Sequence, residues 1–97
     1  MPTYVLLTRV APAQLETPSD LKGLEKTVNQ RVRAECPDVK WIANYAILGS
    51  YDYMDVFEAP DAETAAKVAL IVRSLGHAYT ETWTAFPWER FEKMIPG

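Results

Sequence analysis

The 97-residue chain contains one cysteine, Cys36, and one histidine, His77. A single cysteine cannot form an intramolecular disulfide, which favours a reducing, cytoplasmic location. We interpret Cys36, which directly precedes Pro37, as a small buried apolar residue. A zinc site needs three or four ligands, and one histidine with one distant cysteine offers no recognisable spacing for it. A single axial histidine is the minimum for haem, but His77 follows the end of a predicted helix, and we expect no metal and no cofactor.

Basic residues are also few. The chain has 10 Lys and Arg against 13 Asp and Glu, which gives a formal net charge of −3. Proteins that bind the nucleic-acid backbone normally carry a basic face, so nucleic acid is not an expected partner. The sequence has no glycine-rich phosphate loop, no nucleophile elbow and no Cys-x-x-Cys pair. It also has no basic leader and no long apolar run, so we expect no signal peptide and no contact with a membrane.

Apolar periodicity and turn signals predict the order strand, helix, strand, strand, helix, strand. The strands are predicted at residues 3–9, 39–48, 51–58 and 77–86, and the helices at 18–36 and 62–75. Right-handed crossovers convert this order into an α+β, ferredoxin-like βαββαβ fold, with a four-stranded antiparallel sheet and two helices on one face. We expect residues 1–97 to form a single domain, in which 87–97 are a short C-terminal helical tail.

Capping and turn residues mark the ends of these elements. Thr17 is suited to cap the first helix, with Asp20 at the capping-box position, and Asp61 is suited to cap the second. Gly76 is placed to end the second helix, as glycines commonly do in the left-handed conformation. The pair Gly49-Ser50 predicts a tight turn between the second and third strands, which would form a hairpin.

Aromatic residues are abundant for so small a core, with three Trp, five Tyr and three Phe. Strand alternation over residues 51–58 places Tyr51, Tyr53, Asp55 and Phe57 on one side. Two helices cover only one face of a sheet, and we expect this ring-bearing side to be the uncovered one. An exposed patch of that kind usually indicates a partner. A second copy, packed sheet against sheet in a shared barrel, is the simplest partner, so we expect a homodimer or a higher oligomer.

The candidate ligand-binding residues are Tyr51, Tyr53, Asp55, Glu81 and Trp83. Inside a barrel lined by rings, desolvation would raise the proton affinity of Asp55, as for a general acid or base. The alternative is that Asp55 accepts hydrogen bonds from the partner chain across the dimer. Glu81 would meet Asp55 near one pocket only if its side of the last strand faces the barrel interior, which the sequence does not determine. Asp52 points away from Asp55 and is expected to fix the preceding turn through backbone amides.

A set of short motifs resembles one known family. The motifs are Gly49-Ser50-Tyr51-Asp52, Glu58-Ala59-Pro60-Asp61, Glu63-Thr64-Ala65-Ala66, the start at residues 1–5, and Thr80-Glu81-Thr82 followed by Phe86. In combination, and over nearly the whole chain, they resemble the GYD-domain family of small bacterial and archaeal proteins. That resemblance implies a dimeric α+β barrel and no particular activity. The chain departs from the family pattern at Asp55 and in the tail at 87–91.

A looser likeness is to the effector-binding domain of Lrp/AsnC-type regulators. Their DNA-binding helix-turn-helix is absent here, so this likeness would imply a stand-alone ligand sensor. Three functions stay open from the sequence. The first is a binding module that holds a small organic molecule in its barrel. The second is a cofactor-independent enzyme (isomerase or monooxygenase-like) that uses Asp55 or Glu81 as acid or base. The third is a purely structural dimer. The binding module is favoured, because a catalyst normally shows a recognisable acid/base constellation.

Overall fold

The computed structural model describes residues 1–11 and 18–97, and the side chains of residues 1–11 and 21–97. Its elements are β1 (Thr3–Arg9), α1 (Pro18–Glu35), β2 (Lys40–Ala46), β3 (Tyr53–Glu58), α2 (Ala62–Gly76), β4 (Tyr79–Ala85) and α3 (Trp88–Met94). The strands form one antiparallel sheet in the order β2-β3-β1-β4. The predicted ferredoxin-like α+β fold is confirmed, and the dimeric barrel stays a prediction. The capping roles of Thr17 and Asp20 lie outside the described residues and side chains.

The hydrophobic core lies between one face of the sheet and the two long helices. Its largest fully buried side chains are Phe57 and Leu6 of the central strands, Val32 of α1 and Val68 of α2. The two helices contact each other, and the buried positions of α2 recur at helical spacing, so a single stripe of that helix faces the sheet. Cys36 is buried in the same core, as its interpretation as an apolar residue predicts.

The helix-covered face of the sheet is the one that carries Tyr53, Asp55 and Phe57. In the antiparallel register, Phe57 lies opposite Tyr4 and Asp55 lies opposite Leu6, so these side chains share one face. Phe57 is fully buried, with its ring centre 5.7 Å from that of Tyr4. The expectation that this side of β3 would be uncovered is wrong. The helices bury this side of β3 because it forms one apolar surface with the side of β1 that carries Tyr4 and Leu6.

The uncovered face, called the open face below, carries rings on other residues. Its members on β1, β3 and β4 include Val5, Leu7, Met54, Val56, Tyr79, Glu81 and Trp83. Tyr79 is 49% exposed and Trp83 is 53% exposed. Thr80, Thr82 and Thr84 alternate with them along β4 and therefore share the face of Leu6, on the helix side. The residues that the structure describes thus leave a partly apolar sheet face without a covering helix.

The connection between β2 and β3 spans residues 47–52 and is longer than the tight turn predicted at Gly49-Ser50. The Ile47 amide donates to the Asp52 carbonyl at 2.9 Å, and the Asp52 amide donates to the Thr8 carbonyl at 2.8 Å. The Asp52 carboxylate accepts a hydrogen bond from the Val10 amide at 2.9 Å. Asp52 therefore bonds a backbone amide as expected, but this amide follows β1 and is not within the turn.

Helix α2 begins at the predicted cap and ends one residue later than predicted. Asp61 accepts hydrogen bonds from the Thr64 amide at 2.8 Å and from the Thr64 hydroxyl at 2.7 Å, which satisfies one free amide of the first turn. At the other end, Gly76 is still helical, and His77 has the left-handed backbone (φ 47°, ψ 43°). The predicted left-handed role of Gly76 is therefore wrong. Gly76 is buried beside Leu24 of α1, and the chain turns only after this contact.

We expect His77→Gly to raise the free energy of unfolding by about 0.5–1 kcal/mol, because a side chain in the left-handed region carries a cost that glycine lacks. The freedom of glycine in the unfolded chain offsets part of the gain. Urea unfolding followed by circular dichroism measures the change. His77→Ala is the matched control, since it removes the imidazole and keeps the Cβ. Equal stabilisation by both variants would show that the strain does not lie in the backbone.

Residues 1–11 and 18–97 contain no helix with the length and apolar character needed to cross a membrane. Within the same ranges, no group of three or more His, Cys, Asp or Glu side chains is arranged to hold a metal ion. His77, the one histidine of the chain, is exposed where α2 ends.

Candidate functional site

A cavity of about 150 Å³ lies between α1 and the helix-covered face of the sheet. Side chains from α1, α2 and the first three strands line it, and most of the lining is apolar. The polar side chains of the lining are those of Thr8, Glu25, Asn29, Asn44, Tyr53 and Asp55. A mainly apolar cavity with a few converging polar groups is the usual form of a small-molecule site. The cavity is therefore the candidate functional site.

Asp55 and Asn44 are bonded to each other in the cavity wall. Asn44 Nδ2 donates to Asp55 Oδ1 at 2.7 Å, and the two residues lie opposite each other on β2 and β3. An irregularity in β2 makes this contact, because the register shifts between Trp41 and Ala43 and leaves Ile42 as an extra residue. Without that shift, strand alternation would turn Ala43, and not Asn44, to the face of Asp55.

Thr8 places a buried hydroxyl in the cavity wall. The residue is 2% exposed, and its Oγ1 has no hydrogen-bond partner among the residues that the structure describes. A buried hydroxyl without a partner costs about 1–3 kcal/mol, and native proteins rarely leave such a group unpaired. Asp52 bonds the Thr8 carbonyl and the Val10 amide, which fixes the end of β1. The hydroxyl is thus held at the cavity with its bonding capacity unused by the described protein groups.

The electrostatics of the cavity are acidic. Burial raises the pKa of Asp55 above its ordinary value of 3.8, the Asn44 hydrogen bond opposes this shift, and the Glu25 carboxylate adds to it. The pKa of Tyr53 is also raised, first by burial and then by Glu25, Asp52 and Asp55. Both shifts disfavour additional negative charge at this place. A proton or another positive charge is therefore favoured beside Asp55.

We expect Asp55→Asn to stabilise the ligand-free protein at neutral pH by roughly 0.5–2 kcal/mol, the usual gain from one favourable substitution. The folded-state pKa of Asp55 lies above its ordinary 3.8. The folded state therefore binds the proton more tightly than the unfolded state. The stability of the wild type falls as the pH rises from the ordinary pKa of Asp55 through its higher folded-state pKa. Asparagine carries no charge and can still accept the bond from Asn44. Urea unfolding between about pH 4 and pH 8 measures the gain, which should grow with pH.

Asp61→Asn is a control of opposite sign. The hydrogen bonds from the Thr64 side chain and amide lower the pKa of Asp61. The Asp61 carboxylate therefore contributes stability above its unfolded pKa, and this contribution is lost as the pH falls. Asparagine is also a good N-cap, so only the charge is removed. A gain from Asp55→Asn that shrinks or stays constant as the pH rises would show that burial does not penalise the Asp55 charge.

The predicted ligand-binding residues are divided between the two faces of the sheet. Tyr53 and Asp55 line the cavity. Glu81 and Trp83 lie on the open face, where Trp83 Nε1 donates to Glu81 Oε1 at 3.1 Å. The sequence left open whether Glu81 would meet Asp55, and in the chain the sheet separates them. The threonine side of β4 shares the helix-covered face with Asp55, so Glu81 necessarily points the other way.

Tyr51 belongs to a cluster at one end of the sheet and does not join Tyr53 and Asp55. Its ring centre lies 6.4 Å from that of Tyr79, and the Arg9 guanidinium lies 5.5 Å from the Tyr79 ring centre. Arg9 and Tyr79 are opposite each other on β1 and β4, on the open face. The ring of Tyr51 is therefore associated with the open face.

Three cavity residues, Thr8, Asn44 and Glu25, are not singled out by the sequence motifs. Thr8 has a usable signal, because it follows Tyr4 and Leu6 at the two-residue spacing of the buried face. Asn44 has none, since its direction depends on the irregularity at residue 42. Glu25 lies on an exposed position of α1, where an acidic residue is ordinary.

A further apolar surface lies in and around α3, the helix after β4. Helix α3 has no buried residue. Five side chains in and around it, 44–64% exposed, are called the C-terminal apolar cluster below: Phe86, Trp88, Phe91, Met94 and Ile95. The Phe91 ring centre lies 6.3 Å from that of Phe86 and 6.0 Å from that of Trp88. Its rings contact one another, and the described part of the chain leaves them exposed.

Comparison with known proteins places the chain in a sequence family. The model of the GYD domain matches residues 4–95. A Thermus thermophilus protein named "Glutamine synthetase and cystathionine beta-lyase binding protein" is 37% identical over 87 residues, which cover 90% of this chain and 90% of that protein.

Solved structures show the same fold. The crystal structure of TTHA0845, also from Thermus thermophilus, has a TM-score of 0.61 at 25% identity and covers 90% of this chain and 95% of that one. The leucine response regulatory protein LrpA of Mycobacterium tuberculosis has a TM-score of 0.59 at 13% identity. That match covers 89% of this chain, which spans about half (51%) of LrpA. At this identity the second likeness concerns the fold alone.

Proposed function

Because the chain belongs to the GYD domain family, a relative of which is named as a binding protein, we propose that it is a binding protein that holds a small organic molecule in the cavity under α1. It acts in the cytoplasm, in keeping with its one cysteine. Residues 1–97 act as one domain, with the tail available for contacts outside it. The observation that carries the proposal is the Thr8 hydroxyl, buried in the cavity wall without a partner in the described part of the chain.

The cavity has the properties of a prepared binding site. Its lining is mainly apolar, which favours an organic body over water. Its polar groups are fixed, because Asn44 holds one oxygen of Asp55 and Asp52 holds the strand end at Thr8. Fixed polar groups reduce the ordering cost of binding. A molecule that bonds Thr8 Oγ1 would also remove the cost of leaving that hydroxyl unpaired.

We also propose that two copies pair through their open faces, with the C-terminal apolar cluster as part of the contact. Each chain has both an exposed partly apolar sheet face and an exposed apolar cluster on α3. A two-fold pair uses the same surface on both copies, so a single interface buries the exposed apolar groups of both chains. Exposed apolar groups of this extent usually mark a protein interface.

A second candidate function is the binding of a metabolic enzyme. The 37% identical relative is named for binding glutamine synthetase and cystathionine beta-lyase. The observation in this chain that favours such a role is the C-terminal apolar cluster, since rings such as those of Trp88 and Phe91 are enriched at protein contacts. In this case α3 would remain accessible in the dimer and bind the partner protein.

Catalysis is a weaker candidate. Burial raises the pKa of Asp55, as it does for many catalytic acids and bases. Its one described hydrogen-bond partner is Asn44, and the Glu81 carboxylate lies across the sheet. An acid/base role would therefore rest on Asp55 alone. A purely structural dimer is also weaker, because it gives no role to the Thr8 hydroxyl, which has no partner among the described residues.

A fragment screen tests the small-molecule proposal. Cationic, neutral and anionic fragments of about benzene size, which suits a cavity near 150 Å³, are scored by the rise in melting temperature. The blocking variant is Ala46→Phe, because Ala46 lines the cavity and is otherwise exposed. At least one fragment should stabilise the wild type and not the variant. Stabilisation by none, or equal stabilisation of both proteins, would refute the cavity as a binding site.

A further inference from the structure

We propose that the cavity selects a small organic cation, a primary amine on a compact apolar body, with Asp55 as the group that recognises its charge. This inference rests on the proposed function, since it names the chemical class of the molecule in the same cavity. Support comes from the charge of the lining, the placement of Thr8 and Asp55, and the size and character of the walls.

The charge of the lining has one sign. Asp55 and Glu25 supply carboxylates, and among the described residues that line the cavity there is no Lys, Arg or His. An anionic ligand would bring a third negative charge into a partly desolvated space, where like charges repel strongly. A cation would instead compensate the Asp55 charge where water is partly excluded. The lining therefore discriminates against carboxylates and phosphates.

Thr8 and Asp55 are placed to share one ligand group. Thr8 lies opposite Tyr53 on the neighbouring strand, and Asp55 is two residues further along that strand on the same face. Such diagonal neighbours are typically about 7–8 Å apart in the backbone and closer at their Cβ atoms. Their side chains extend towards the cavity, so one ligand atom can make a hydrogen bond of about 3 Å to each of them. The second oxygen of Asp55 and the Thr8 hydroxyl both accept hydrogen bonds. An ammonium group, with three donors and no acceptor, matches this pair.

The walls suit the rest of such a molecule. Trp41 and Tyr53 border the cavity, and aromatic faces attract organic cations. Leu24, Val28 and Val72 provide apolar surface for a hydrocarbon body. A cavity of about 150 Å³ is of the size that holds benzene. Benzylamine, a benzene ring with one aminomethyl group, is therefore a suitable probe.

Calorimetric titration at about pH 7 compares three probes of nearly one shape: benzylamine, benzyl alcohol and benzoate. We expect benzylamine to bind at least about tenfold more tightly than the alcohol, the effect of one charge-assisted hydrogen bond, and benzoate not to bind. Asp55→Asn should lower the affinity for benzylamine by at least about tenfold and leave that for the alcohol nearly unchanged. Asp38→Asn removes the same charge from an exposed turn and should change neither affinity.

The outcomes separate the two proposals. If the alcohol or benzoate binds as tightly as benzylamine, and Ala46→Phe abolishes this binding, the cavity is a binding site and its preference for cations is refuted. If no probe binds and the fragment screen also fails, both proposals fall. Thr8→Val, which keeps the shape and removes the hydroxyl, should weaken benzylamine binding several-fold. Unchanged binding in Thr8→Val would remove Thr8 from the site.

Discussion

Phe57→Ala is expected to lower the free energy of unfolding by about 3–5 kcal/mol, a large share of the 5–15 kcal/mol typical of a whole domain. Phe57 is fully buried on β3 and contacts Tyr4 and Trp41, with ring centres 5.7 and 5.5 Å away. Truncation leaves a hole between the sheet and the helices, and the surrounding rings can fill it only in part. Urea unfolding monitored by circular dichroism gives the change.

Leu48→Ala is the matched control for Phe57→Ala. Leu48 lies in the connection at 47–52 and is fully exposed, so its truncation should change the stability by less than about 0.5 kcal/mol. The same comparison tests which face the helices cover. If Phe57 were on the open face, its loss would cost little in the single chain. A cost below about 1 kcal/mol would contradict the position of Phe57 in the core.

Trp83→Glu is expected to weaken the proposed homodimer at least about 100-fold, as for an aromatic hot-spot residue of an interface. Trp83 is 53% exposed and lies on the open face of the edge strand β4, opposite Val5 of β1. In a pair packed through that face, each copy would bury an unpaired carboxylate against the apolar side chains of the other. Analytical ultracentrifugation over a concentration series measures the association.

Leu70→Glu is the control for Trp83→Glu. Leu70 is 61% exposed on α2, away from the sheet, so the same charge placed there should leave the dimer intact. Circular dichroism must show that both variants keep their helices and strands. A dimer that survives Trp83→Glu but dissociates on Leu70→Glu would place the interface on the helices and refute pairing through the open face.

Element order was predictable because each helix and strand carries its own local signals. Strand β1 occupies the predicted residues 3–9, and α2 begins after the predicted cap Asp61. Pro37 follows α1, since it cannot continue a helix. The family resemblance drawn from motifs such as Gly49-Ser50-Tyr51-Asp52 is confirmed by the match of the GYD domain to residues 4–95.

The covered face of the sheet was not predictable, because both sides of β3 carry apolar side chains. Phe57 on one side and Met54 and Val56 on the other are equally suited to a core. Strand β4 is as ambiguous, with threonines on one side and Tyr79 and Trp83 on the other. The choice is made by the helices, whose contacts are not local in sequence. If the other side of a strand faced the helices, each of its side chains would exchange the core for the open face, or the open face for the core.

Of the residues proposed from the sequence, only Tyr53 and Asp55 line the cavity. Asp55 stands out because it interrupts an apolar strand, and it does line the cavity. Its partner Asn44 depends on a register shift that has no sequence signal here. The left-handed residue His77 was equally hidden, since Gly76 one position earlier is the better candidate on propensity alone. In both cases an offset of one residue, set by packing, decides the outcome.

The most direct measurement of the central claim is native mass spectrometry of the freshly purified protein, alone and with added benzylamine. It reports the number of chains and any retained small molecule together. We predict two chains with an added small-molecule mass, which increases in occupancy with benzylamine and is lost in Ala46→Phe. A monomer would contradict the dimer. A dimer that carries no more added mass than the Ala46→Phe variant, with or without benzylamine, would contradict a ligand in the cavity under α1.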